Sequence, residues 1–146
     1  MSYMLYETSA GKVPLNNEIN YINNYLKLLE VRYPPGYIAF EVAGEASGLK
    51  VPPLLFMPFL ESTFSTAQED SPVRPGISIT LLINGNGLIF AVTNYISDRS
   101  EGLKDEKAVS LSSIKRFLDL EFGESYTLET MEENNKSIVK LNIKLL

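Results

Sequence analysis

The sequence predicts a single α/β domain in which a mixed β-sheet carries helices on one face, and three stretches carry that reading. Ile19, Ile22, Leu26, Leu29 and Tyr33 recur in alternating steps of three and four, which lays one apolar stripe along a helix. Ile77, Ile79, Leu81 and Ile83 alternate with polar residues, Asn84-Gly85-Asn86-Gly87 supplies the positive φ of a tight turn, and Leu88, Phe90 and Val92 alternate on return. Val139, Leu141, Ile143 and Leu145 alternate with Lys140, Asn142 and Lys144, so the last strand has one buried and one wet face.

In chain order, residues 1–12 gather small and polar residues around Tyr3, Leu5 and Tyr6 and read as part of an element that continues upstream. A helix follows over 15–33, ended by Pro34-Pro35-Gly36, because the residue before a proline is pushed out of the helical region. Tyr37–Val42 reads as a strand and Gly44–Lys50 as a loop. Val51, Leu54, Leu55, Pro58 and Phe59 then fall on one helical face, with Pro58 expected to bend the helix. The same spacing leads on to Ser62 and Thr66, where the apolar stripe turns into hydroxyls and a site can begin. A connector over 68–75 precedes the hairpin, and the polar stretch 95–107 reads as a mobile surface loop. Val109–Phe122 is again helical, with Leu111, Ile114 and Leu118 inward and Gly123 as its stop, and a second hairpin closes the chain.

Composition narrows the function. A chain of 146 residues fits one domain with one core. Its net charge of −5 gives no general attraction to phosphate backbones, so nucleic acid is not an expected partner. Cys and His are both absent, which removes disulfides, zinc sites and every Ser-His or Cys-His catalytic arrangement, and no metal site is expected. The longest apolar stretch, Val51–Leu60, contains three prolines and is far short of the roughly 20 residues that span a bilayer. No direct membrane contact is expected, and the N-terminal residues do not read as a signal peptide, which gives the chain a cytoplasmic character.

Two segments resemble a known family. Val13-Pro14-Leu15-Asn16-Asn17-Glu18-Ile19 followed by Tyr25-Leu26-Lys27-Leu28-Leu29-Glu30-Val31-Arg32-Tyr33, and then Val51-Pro52-Pro53-Leu54-Leu55-Phe56-Met57-Pro58-Phe59-Leu60-Glu61, resemble the approach to, and the first helix of, the ATP-binding domain in LytS/YehU-type sensor histidine kinases. The resemblance implies a two-layer α/β sandwich of the Bergerat type, shared with gyrase-type ATPases, in which ATP and Mg²⁺ sit between helices and one sheet face. It also implies a division into a lead-in from an upstream dimerisation and phosphoacceptor region over 1–34 and the ATPase-like domain over 35–146.

The family's site motifs map onto substituted positions. Its Glu-Asn-Ala-x-Lys-His-Gly, whose Asn holds Mg²⁺, appears as Glu61-Ser62-Thr63-Phe64-Ser65-Thr66-Ala67, leaving Glu61 as a vestigial catalytic carboxylate or a merely solvated one. Its Asp-Asn-Gly or Glu-Asn-Ser, whose acid binds the adenine amino group, appears as Val92-Thr93-Asn94-Tyr95, with the hydroxyl of Thr93 in the acid's place and Asn94 alternatively closing the strand on its own backbone. Its Gly-x-Gly-Leu-x-Asn-Val, which opens a helix with bare amides for the phosphates, appears as Ala108-Val109-Ser110-Leu111-Ser112-Ser113-Ile114, where each glycine position carries a Cβ. Arg116 occupies a possible phosphate-cation position or an ordinary solvated face.

The expected function is therefore a degenerate, pseudo-ATPase histidine-kinase domain in signalling or dimerisation, with no tightly bound cofactor and, lacking His, no autophosphorylation of its own. Its implied partners are the upstream sensor and dimerisation region, a second copy of the chain and a response regulator, the parent protein being anchored in the inner membrane. Two alternatives stand beside it: a divergent domain that still binds ATP and Mg²⁺, and an anti-sigma-like protein-binding module.

Overall fold

Phe90 lies at the centre of the molecule, on the middle strand of a five-stranded sheet, with the Phe56 ring stacked on it at 4.5 Å and Phe59 tilted against it at 5.9 Å. The computed structural model describes residues 11–66, 75–95, 104–133 and 135–145. Its elements are β1 (Val13–Pro14), α1 (Leu15–Leu29), β2 (Ile38–Ala43), β3 (Lys50–Val51), α2 (Met57–Thr66), β4 (Ile77–Asn84), β5 (Gly87–Tyr95), α3 (Lys104–Phe122), β6 (Tyr126–Glu133) and β7 (Lys136–Lys144). The sheet order is β2-β4-β5-β7-β6, with β2 parallel to β4 and the other pairs antiparallel. The mixed α/β sandwich predicted from the sequence is the fold observed.

The alternating strands place their apolar sets as predicted. Ile77, Ile79, Leu81 and Ile83 of β4, Leu88, Phe90 and Val92 of β5, and Val139, Leu141 and Ile143 of β7 are buried, and register brings them side by side under the helices. The two-residue turn Gly85-Asn86 joins β4 to β5 with Gly85 at φ +62, the left-handed backbone such turns require. Asn86 then ties the turn to the end of the chain, its Nδ2 donating to the Leu145 carbonyl at 2.7 Å.

Three boundaries differ from the sequence expectation. α1 stops at Leu29, because Pro34 excludes Tyr33 from the helix; Tyr33 remains buried and stacks on Tyr37 at 5.1 Å. α2 starts at Met57 instead of Val51, since Pro52-Pro53 forces a turn and the Leu55 N–H is taken by the Glu18 carboxylate at 3.0 Å. Pro58 is therefore in the first turn of α2, where its missing N–H leaves no bond unmade, and the expected bend has no cause. α3 starts at Lys104, so residues 104–107 are helical where a loop was expected; residues 96–103 of that loop, and the connector 68–74, lie outside the described residues.

The C-terminal end of α3 is tied to β6. Gly123, at φ +56, ends the helix, and the Tyr126 hydroxyl donates to the Asp119 carboxylate. Burial, together with that hydrogen bond and the Asp119 charge, pushes the Tyr126 phenol up to about 12 from its ordinary 10.0. The raised pKa means that folding favours the protonated phenol. Its contribution to stability is whole below about pH 10 and is lost as the pH rises from there towards about 12. Asp119→Asn is expected to return the phenol part of the way to 10.0, read from phenolate absorbance during an alkaline titration; an unchanged titration would place the cause elsewhere.

Candidate functional site

Topology brings α2 back to the end of the sandwich where Asn94 lies. β2 and β4 are parallel, so the intervening α2 runs back towards the start of β4, where Ile77 pairs with Asn94. α3 ends at Phe122, shortly before Tyr126, which pairs with Ile143 at the opposite end of the sheet. α2 and α3 pack on each other, and α2 also packs on β5. Ser62 and Thr66 belong to α2, Ala108, Ser110, Ser113 and Arg116 to α3, and Thr93 and Asn94 to β5.

On the sheet, this end of the core changes from apolar to polar. The row running across β4, β5, β7 and β6 is Ile77, Asn94, Ser137 and Glu132. Asn94 is 3% exposed and Ser137 2%, directly opposite each other, and Thr63 on α2 is also buried, its hydroxyl donating to the Phe59 carbonyl at 2.9 Å. The Asn94 Nδ2 has no hydrogen-bond partner among the described residues. A buried amide donor left unmade costs about 1–3 kcal/mol, so the position is held against the preference of the fold. Asn94→Leu is accordingly expected to raise stability by about 1–2 kcal/mol in urea unfolding; a loss instead would reveal a partner for the amide.

Individual positions sort by strand and helix period. Thr93 is half-buried on the opposite face of the sheet, in register with Ser78 and Ile138, so of this pair only Asn94 faces the helices. Asn94 is the last residue but one of β5, with its Nδ2 in the core. Glu61 is exposed, on the side of α2 that meets α1: the Tyr25 phenol is raised by burial and then by the Glu61 charge, against a lowering by Arg32. Ser62 is half-buried, and Ser113 and Arg116 are exposed on the flank of α3 away from the buried Ile114 and Leu118. The side chains of Thr66, Ala108 and Ser110 lie outside the described residues.

The backbone of α3 bears on the phosphate motif. Ala108 stands four residues inside a helix that begins at Lys104, so from Ala108 onward each amide N–H is directed to the carbonyl one turn back. Ser137 and Thr63 were missed at the sequence level. Ser137 continues the alternation of Val139, Leu141 and Ile143 by one step, and that period was the signal for it. Among the described residues, no group of acidic side chains is placed to hold a metal ion, and no helix is long and apolar enough to cross a membrane. An open cleft of about 620 Å³, lined by Leu82, Asn84, Ile89, Asn142 and Lys144 among others, lies at the hairpin end of the sheet, remote from the Asn94 row.

Comparison with protein-family models and with curated proteins finds no match. Solved structures do match. The catalytic domain of histidine kinase ThkA superposes with a TM-score of 0.58 at 17% identity, over 91% of this chain and 94% of that one. ThkA in complex with the response regulator protein TrrA matches with a TM-score of 0.55 at 19% identity, over 91% of this chain and 41% of that chain. Histidine kinase AdeS of Acinetobacter baumannii matches with a TM-score of 0.52 at 10% identity, over 84% of this chain and 62% of that one. At such identities the likeness is one of architecture: this chain has the α/β sandwich fold of histidine kinase catalytic domains.

Proposed function

We propose that this chain is a histidine-kinase-type ATPase-fold domain whose nucleotide chemistry has been lost, kept for signalling contacts within a sensor protein. The observation that carries this reading is the start of α3. The amides of Ala108 to Ser110 belong to the interior of a helix, so they are not available as the free N–H cluster that a phosphate cradle needs. The neighbouring substitutions agree in direction. A serine hydroxyl at Ser62 is shorter than an amide oxygen and suits the near-octahedral demands of Mg²⁺ poorly. Thr93 stands where the family resemblance expects the adenine-binding acid, and its hydroxyl supplies no charged acceptor to select adenine. Phosphoryl transfer rests on positioning and charge neutralisation, and the loss of several contributors together removes turnover instead of slowing it.

In this reading Glu61, exposed beside Tyr25, no longer works as a base, and the partners are the sensor and dimerisation region, a second copy of the chain and a response regulator. The ThkA–TrrA complex supports the last of these for a protein of this fold. The test is incubation of the purified chain with labelled ATP and Mg²⁺. Neither phosphate release above buffer nor label on the chain is expected, and turnover that Glu61→Ala abolishes would contradict the reading.

One observation favours a second reading, a divergent domain that still binds nucleotide. The Asn94 Nδ2, buried and without a partner among the described residues, offers a donor to a base edge. That reading predicts binding without hydrolysis, and Asn94→Leu would then remove it.

A further inference from the structure

Glu18 has no part in any site described so far, yet it is 2% exposed in the first turn of α1. Its Oε1 accepts the N–H of Leu55 at 3.0 Å, across a separation of 37 residues. Leu55 directly follows Leu54, whose φ of +57 is a left-handed conformation that a leucine adopts only at a cost. We propose that Glu18 is a positioning residue that holds the Pro53–Leu54 turn in this strained form, so that the placement of α1 sets where α2 begins.

Both ends of the turn are anchored, which confines the adjustable part to a few residues. Upstream, β3 pairs with β1 through Val13 and Val51, and the Leu15 N–H at the start of α1 donates to the Leu49 carbonyl at 2.9 Å. Downstream, Phe56 is stacked on Phe90 of the sheet. Between these anchors the backbone has two states: Leu54 left-handed with the Leu55 N–H on the carboxylate, or Leu54 relaxed to negative φ with that N–H redirected. A hydrogen bond to this buried side chain is strong enough to select the first state. Withdrawal of the first turn of α1 breaks the bond and releases the second, and α2, which carries Glu61 and Ser62, starts from a different place. Strained residues cluster at such switch points. The inference rests on the geometry of α1 and the turn and is independent of whether the domain binds nucleotide.

The test is amide hydrogen exchange on the whole chain, comparing Glu18→Ala, Leu54→Gly and the double variant. Glu18→Ala is expected to speed exchange of the Leu55 amide and of α2 about tenfold or more, with β4, β5 and β7 unchanged. Glycine carries no penalty at positive φ, so in the Leu54→Gly background the same Glu18 change should alter α2 by less than about threefold. If Glu18→Ala fails to fold, Glu18→Gln gives the same pattern at smaller size. Loss of protection spread evenly over the sheet, unchanged protection of α2, or an undiminished Glu18 effect in the Leu54→Gly background would each overturn the proposal.

Discussion

Phe90→Ala is expected to lower the free energy of unfolding by about 3–5 kcal/mol, the range found when a large aromatic is removed from a close-packed core. Phe90 is 1% exposed on β5, which is paired on both sides by β4 and β7, so the sheet cannot close on the space left behind. From above, the cavity is bounded by Phe56 and Phe59, the residues that seat the start of α2. Urea unfolding should show a lower midpoint with an unchanged slope. A loss below about 2 kcal/mol would mean that the two remaining rings collapse into the gap and that α2 is less fixed than described.

Gly44→Ala comes next in expected effect. Gly44 follows β2 at φ +104, a conformation that L side chains rarely adopt, and a Cβ placed there would run into the backbone carbonyl of Ile83. A flexible side chain could move aside, but Ile83 is hydrogen-bonded within the β4–β5 hairpin and is not free to shift. Backbone strain and overpacking each cost about 1–3 kcal/mol, so the expected loss is roughly 2–6 kcal/mol. Thermal unfolding measures it directly, and a fall in melting temperature too small to resolve would show that the β2–β4 junction is slack. Gly11, in open space at φ +86, is a suitable control because only the strain term applies there.

What the sequence made legible followed from period and turn chemistry. The β4–β5 hairpin and β7 were readable because one buried face forces strict alternation, and Asn84-Gly85-Asn86-Gly87 admits few other conformations. The helical spacing of Val51, Leu54, Leu55 and Pro58 was misleading. Val51 is buried as part of a two-residue bridge to Val13, and Leu55 and Phe56 are buried from a turn, so the same positions satisfied the core without a helix before Met57. No local pattern could reveal this, because the group that fixes the turn is Glu18, far away in the chain.

Of what surrounds the candidate site, the element order was legible in the sequence, and α2 packs on both β5 and α3. The inner surface of the site was less so. The resemblance put the adenine-binding position at Thr93, whereas the alternation of Leu88, Phe90 and Val92 turns its neighbour Asn94 towards the helices. Ser137 extends the alternation of Val139, Leu141 and Ile143 by one step, but its place beside Asn94 emerges only from the cross-strand pairing. The two segments that carried the family resemblance turn out to touch each other. Val13 pairs with Val51 and Glu18 with Leu55, so a chain that keeps one of them has a physical reason to keep the other.

Isothermal titration of the purified chain with a non-hydrolysable ATP analogue, with and without Mg²⁺, tests the central claim most directly. Lost nucleotide chemistry predicts no heat and no shift in melting temperature at millimolar ligand, since a ligand that binds the native state must raise its stability. Magnesium-dependent binding in the micromolar range, abolished by Asn94→Leu, would contradict it and make the Asn94 row a working nucleotide site.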